Sequence, residues 1–237
     1  MRRLALVALS AVVAMLVPVL LVVNGVRVIA NDWYVRFEYG REGFPPDPYG
    51  LTRAERTELA LMGLRSILPQ SEEGIELLRR AWLPDGKAAF TTRELRHMHD
   101  VRSWLGRIYL LHWAALAALA VLAAALALSP RTRAIVPRAL GRGALLTVAL
   151  AVGAGLAVIA SYDAFSAAFH GLFFEGDSWR FAESDTLRRL YPDRFWSDTA
   201  ILLGAGAIAQ ALVLLVATRF WLRTGKAIAA RGRTRHA

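Results

Sequence analysis

The stretch Leu4–Val23, LALVALSAVVAMLVPVLLVV, decides the fold, because twenty consecutive residues carry no charge. A hydrocarbon core of roughly 30 Å takes about 20 helical residues at a rise of about 1.5 Å each. Lipid offers nothing to satisfy a bare backbone, so a run of this kind reads as a helix that crosses the membrane. Three stretches further along pass the same test. Trp104–Leu128 carries only Arg107 and His112, both near its start, and Ala144–Phe169 carries only Asp163. The fourth covers 199–222 and is uncharged as far as Ala217. A chain of 237 residues that is 56% apolar, with a mean hydropathy of +0.38, fits the membrane class and not an ordinary soluble domain. The expectation is an all-α membrane protein with four transmembrane helices over 4–23, 104–128, 144–169 and 199–222. These form a single membrane domain over 1–237, with a small helical outer cap over 24–103 and an outer loop over 171–198. A secretory signal peptide is the alternative for Leu4–Val23. The apolar run is longer than the usual h-region of about 7–15 residues and no A-x-A site follows it, which favours a retained span.

The charges sort by segment and set an orientation. Residues 1–3, 129–143 and the stretch from Arg219 onward hold twelve Lys or Arg and no Asp or Glu. Residues 24–103 hold twelve basic and twelve acidic residues, and residues 171–198 hold four and six. The positive-inside rule assigns the first group, and with it both termini, to the cytoplasm. The net charge of +10 is therefore explained by topology and anionic headgroups. No aromatic residue is interleaved with the basic ones after Trp221, as a stacking platform for nucleic acid would require, so no nucleic-acid partner is expected. The absence of cysteine excludes a disulfide framework, a thiolate nucleophile and a zinc–thiolate site.

The block 24–103 is too long for a plain connector. Asn31–Gly50 is rich in aromatic residues, Gly and Pro, and Phe44-Pro45-Pro46-Asp47-Pro48 cannot be helical. Thr52 with Glu55 three residues on reads as a capping box, followed by Leu59, Met62, Leu64 and Ile67 at helical spacing. A short helix is expected from Ser71 to Trp82 and a turn at Pro84-Asp85-Gly86. Thr92 is expected to cap a helix that continues into Trp104–Leu128.

Four of the five histidines fall in or near the predicted outer leaflet: His97, His99, His112 and His170. His236 lies in the basic tail and carries no expected role. His97, Asp100, Val101 and Trp104 occupy i, i+3, i+4 and i+7, one helical stripe, whereas His99 points to another face. Asp163, Ser166 and His170 form a second stripe by the same spacing. Imidazole is the side chain that takes and returns a proton near neutral pH, and a carboxylate one turn away can orient it. An acid inside a span is costly and marks function by default, although an ion pair between Asp163 and Arg107 would account for it structurally. Two imidazoles converging at a lipid–water boundary suit acyl transfer, in which one deprotonates a nucleophile and the other supports an oxygen. A zinc site on His97, His99, Asp100 and His170 is the rival, but H-x-H on a helix cannot aim both rings at one ion and no H-E-x-x-H occurs. No metal and no cofactor are expected.

At these residues the chain resembles a bacterial integral membrane family. Glu94-Leu95-Arg96-His97-Met98-His99-Asp100-Val101 is similar to that family's H-M-x-D-V motif. Its second signature is matched by Phe169-His170-Gly171-Leu172-Phe173-Phe174, Trp179, Asp185, Leu187, Tyr191-Pro192 and Phe195-Trp196-Ser197-Asp198, with Tyr-Pro where Phe-Pro is more usual. The family includes the lipoprotein intramolecular transacylase (Lit). The resemblance implies movement of an O-linked acyl chain from a diacylglyceryl cysteine to that cysteine's own α-amino group, at the outer leaflet of a bacterial cell membrane. It implies a diacylated lipoprotein N-terminus and membrane phospholipid as partners, and it puts the functional histidines at His97 and His170. Asp100 and Asp163 are the candidate orienters. A non-catalytic lipid- or partner-binding membrane protein and a metal-dependent membrane hydrolase are the alternatives.

Overall fold

A computed structural model gives the fold and describes the backbone of residues 2–130 and 132–234, with side chains over 3–130 and 132–224. Arg131, Arg235 and His236 lie outside the described residues, as do the side chains of Arg2, Lys226, Arg231 and Arg233. Among the described residues the chain is all helical: α1 (Arg2–Ile29), α2 (Asp32–Gly40), α3 (Arg53–Ile67), α4 (Glu76–Arg79), α5 (Thr92–Ala127), α6 (Ile135–Ala160), α7 (Tyr162–Gly171), α8 (Thr186–Leu190) and α9 (Asp193–Thr234). A single antiparallel bridge joins Trp82 and Ala88. Four helices are long and apolar enough to cross a membrane, over Arg3–Ile29, Thr92–Ala127, Ile135–Ala160 and Asp193–Thr224. The 36 residues of α5 rise about 54 Å, well beyond what the hydrocarbon core needs. Five of its six charged residues precede Trp104, so its apolar, membrane-crossing section starts there.

The chain divides into two compact units. The first comprises the chain up to Gly25, Leu111–Leu156 and the chain from Leu203 onward. Small residues let its helices approach closely, as expected where lipid gives no hydrophobic drive for helix association. A Cβ on Gly143 of α6 would lie 2.6 Å from both the Ala14 carbonyl and the Val17 Cβ of α1. Ala144, Ala211 and Leu215 form a core with Leu21, Val148 and Leu214 packed on it. Within this unit Asn24, His112 and Gln210, from α1, α5 and α9, are joined by hydrogen bonds. The His112 Nε2 and Asn24 Oδ1 are 2.9 Å apart, and the Asn24 amide donates to Gln210 Oε1 at 3.2 Å. Gln210 Nε2 in turn donates to the carbonyls of Leu21 and Gly206.

The second unit comprises Val26–Leu110 and Ala157–Leu202. Its segment around α8 is stitched to α2 and α3. Tyr39 donates to the Leu190 carbonyl and Tyr191 to the Ala60 carbonyl, each at 2.6 Å. A buried ion pair links Asp47 and Arg189 at 2.8 Å. The capping box at Thr52 is present, with the Thr52 N–H donating to Glu55 at 2.8 Å.

Four local features depart from the sequence reading. The box that opens α5 uses Thr91 and not Thr92: the Thr91 N–H donates to Glu94 Oε2 at 2.8 Å and the Glu94 N–H to Thr91 Oγ1. Thr91 stands three residues before Glu94, the spacing a capping box requires. The helical run over 144–169 is broken. Helix α6 ends at Ala160, Ser161 is extended (φ −164°), and its hydroxyl accepts from the Ala164 N–H to start α7. Asp163 therefore lies in the first turn of a separate helix. Finally, α2 forms within the aromatic stretch before Phe44, and α4 covers only Glu76–Arg79 of the expected 71–82 helix.

Candidate active site

All of the site's residues belong to the second unit, and they come from the first turns of α5, from α7 and from the segment that follows it. Arg93, His97 and Trp104 lie on one stripe of α5, at i, i+4 and i+11. Arg93 donates to the carbonyls of Asp177 (2.7 Å) and Arg180, and its guanidinium lies 5.3 Å from the Phe181 ring centre. Trp104 donates through Nε1 to the Phe173 carbonyl at 2.8 Å and meets the Phe173 ring edge-on. Residues 173–181 thus form a strap tied at both ends to α5.

His97 is lodged between two rings of that strap, 4.8 Å from Phe174 and 5.2 Å from Phe181 between centroids. Its Nδ1 is buried with no hydrogen-bond partner among the described residues. A buried acceptor lacking a partner is tolerated better than an orphaned N–H, so Nδ1 holds the lone pair and Nε2 the proton. Burial lowers its pKa to about 4; a second positive charge, were His170 to be protonated, and the Arg93 guanidinium push the same way, and Asp100 opposes. His97 is therefore a neutral imidazole at physiological pH, with Nε2–H as its donor.

His170 is fixed differently. It sits one residue before the end of α7, and its Nδ1 lies 2.7 Å from the Ser166 carbonyl and 3.3 Å from the Ser166 hydroxyl. A carbonyl only accepts, so Nδ1 carries the proton and Nε2 keeps its lone pair. The ring stacks on Trp179 at 4.2 Å with 12° between planes, and Phe174 lies 6.0 Å away. Phe174 is thus a ring neighbour of both histidines, which brings the two sequence-identified imidazoles into one aromatic setting.

The carboxylates stand apart from this pair. Asp100 lies 3.7 Å from the Nδ1 of exposed His99, and no hydrogen bond joins it to His97 among the described residues. Its influence on His97 is through charge alone. Asp163 is exposed and makes no ion pair among the described residues, and Arg107 lies over the Trp104 ring at 5.0 Å. His112 belongs to the first unit's polar network. Among the described residues no group of three or more His, Cys, Asp or Glu is placed to hold a metal ion. Arg93 completes this setting and had no part in the sequence reading, although it sits one turn before His97 on the same stripe; Trp179 stood in the second signature, but its stacking on His170 could not be read from a segment without periodicity.

The fold defines a class: an all-helical, multi-span membrane protein, here with two histidines held among aromatic rings. Comparison with known proteins gives the family. The profile of the lipoprotein intramolecular transacylase Lit matches residues 9–196, and the chain belongs to that family. An uncharacterized protein of Aquifex aeolicus (strain VF5) is 30% identical over 199 residues, covering 82% of this chain and 86% of the relative. The crystal fold of the lipoprotein intramolecular transacylase Lit from Bacillus cereus superimposes with a TM-score of 0.74 at 16% identity, covering 94% of this chain and 98% of that one. A variant of the same protein with a histidine replaced by arginine matches with a TM-score of 0.63. At such identity these structures speak to the fold.

Proposed function

We propose that this chain moves an O-linked acyl group from the diacylglyceryl moiety of a lipoprotein's N-terminal cysteine to that cysteine's own α-amine, at the outer leaflet of the cell membrane. The observation that supports the reading is the setting of the two imidazoles: His170 Nδ1 lies 2.7 Å from the Ser166 carbonyl, which leaves a lone pair on Nε2, and His97 Nδ1 is buried without a hydrogen-bond partner among the described residues, which suits a proton on Nε2. The neutral α-amine attacks the ester carbonyl, and His170 Nε2 takes its proton. The tetrahedral oxyanion accepts a hydrogen bond from His97 Nε2–H, a role suited to an imidazole that burial keeps neutral. Collapse breaks the ester C–O bond and forms the amide, and the departing alkoxide takes the proton that His170 carries. The products are an N-acyl cysteine and a free glyceryl hydroxyl, so no water, metal or cofactor enters the balance. Asp100 and Asp163 act at longer range, biasing the charge distribution around the pair.

Alanine variants test this with a diacylated lipoprotein in membranes, reading the lyso-form N-acyl product by mass spectrometry. His97→Ala and His170→Ala should each lower turnover by about 10²–10⁴-fold, and the double variant should be little worse than either. His99→Ala, on the other face of α5, should keep most activity. Equal accumulation of every variant in the membrane guards against lost insertion. Full product from either single variant of the pair would reject the mechanism and favour a lipid- or partner-binding role.

A further inference from the structure

The hydrogen bond from His170 Nδ1 to Ser166 sets the tautomer and holds one edge of the imidazole. What supports the face of the ring is Trp179, stacked at 4.2 Å and 12°. Trp179 comes from the strap that follows α7, and Arg180 lies against the tryptophan with its guanidinium 5.0 Å from the indole centre. Two residues before Trp179 and one after it, the carbonyls of Asp177 and Arg180 both accept from Arg93. The indole is thus clamped by an arginine that sits one turn before His97 on α5. No step of acyl transfer uses Trp179 or Arg93, yet together they tie the plane of one imidazole to the helix that bears the other.

We infer that Trp179 is a positioning residue for His170, aiming Nε2 through ring stacking, with Arg93 setting its place by holding the backbone on either side. The inference rests on the reading of His170 as the proton acceptor. A planar partner constrains the tilt of an imidazole, whereas an aliphatic side chain of similar volume fills the space and leaves the ring free to tilt. Misplacing a reacting group by about 1 Å costs on the order of 10²-fold in rate, so the effect belongs in kcat. The substrate's acyl chains and peptide do not depend on the stack, so KM should be unmoved.

The test uses the full chain in phospholipid vesicles with a synthetic diacylglyceryl-cysteinyl lipopeptide. Trp179→Leu should lower kcat by about 10²-fold with KM unchanged, and Trp179→Phe, which keeps a flat ring, should restore most of it. Introduced into His170→Ala, Trp179→Leu should cost nothing further, because the group it positions is gone. Normal turnover in Trp179→Leu, a change confined to KM, or an undiminished loss in the His170→Ala background overturns the inference. A failure of Trp179→Phe to rescue does so as well. Wild-type turnover in His170→Ala overturns the proton-acceptor reading and takes this inference with it, so the two failures are distinguishable.

Discussion

Two histidines of one site carry opposite proton assignments because their surroundings differ. His170 has a carbonyl at Nδ1, whereas His97 lies between two phenyl rings with its Nδ1 buried and without a hydrogen-bond partner among the described residues. The His97 environment has a consequence for stability. Its pKa falls from 6.5 to about 4 in the folded chain, chiefly through burial, so below about 6.5 the unfolded chain takes a proton that the native state refuses. Above 6.5 the group is neutral in both states and has no effect, and the native state loses stability as the pH drops toward 4. The loss attributable to this residue is at most about 3 kcal/mol. Thermal unfolding in detergent, followed between pH 7.5 and pH 4, should therefore show a shallower decline for His97→Phe than for the native chain. Superimposable curves would mean that His97 is not held neutral by burial. Stripe spacing made both histidines legible in the sequence, since i, i+3 and i+7 relations survive into the fold. Phe174 and Trp179 stood in the second signature, but their contacts with the imidazoles were not legible, because Phe174, Trp179 and Phe181 lie in a strap whose course is set by Arg93 and Trp104 through backbone carbonyls. Such bonds depend on no side-chain pattern in the partner segment.

Among helices, the polar connection of α1, α5 and α9 through Asn24, His112 and Gln210 stands out in the first unit, because polar side chains in a span are costly unless they pair. Asn24 is the middle member, bonded on one side to His112 Nε2 and on the other to Gln210. Gln210→Leu removes two bonds between α9 and α1, to the Asn24 amide and the Leu21 carbonyl, and one within α9, and it should lower stability by about 0.6–1.7 kcal/mol, the scale of such bonds in lipid. Asn24→Leu should cost more, because it takes a partner from both neighbours. Unfolding in mixed micelles with rising SDS checks the order, and an Asn24→Leu variant no weaker than Gln210→Leu would remove the linking role. At this scale the sequence spoke clearly where physics is local. The Thr52–Glu55 box and the four apolar runs followed from spacing and length. Ser161 was illegible because a serine inside Ile159-Ala160-Ser161-Tyr162 leaves apolar periodicity intact, and only the hydroxyl's bond to Ala164 reveals that it starts a new helix. Helix α2 escaped because its aromatic residues, weak helix formers by themselves, are held by tertiary bonds such as Tyr39 to Leu190 and Tyr34 to Thr199.

For the whole molecule the distribution of charge, more than any single helix, carries a proposal for which side of the membrane each segment faces. Twelve basic and no acidic residues gather in residues 1–3, 129–143 and from Arg219 onward, whereas the segments bearing His97 and His170 mix both signs. With four crossings both termini fall on one side, and we propose from the positive-inside rule that this side is the cytoplasm. The same proposal puts the histidine pair on the extracytoplasmic side, where the amino terminus of an exported, lipid-modified protein is found. Because the chain has no cysteine, single cysteines report on topology without background. Asp85, in an exposed turn, and Glu175, in the exposed strap, are the sites for the outer face, and Thr132, in the short segment between α5 and α6, is the site for the inner one. In intact cells an impermeant maleimide should label Asp85→Cys and Glu175→Cys and leave Thr132→Cys unmodified until the membrane is opened. Labelling of Thr132→Cys with protection of the other two would invert the molecule and move the site to the cytoplasmic leaflet. Labelling of Asp85→Cys with protection of Glu175→Cys would put the two histidine-bearing segments on opposite faces, which no shared site could survive.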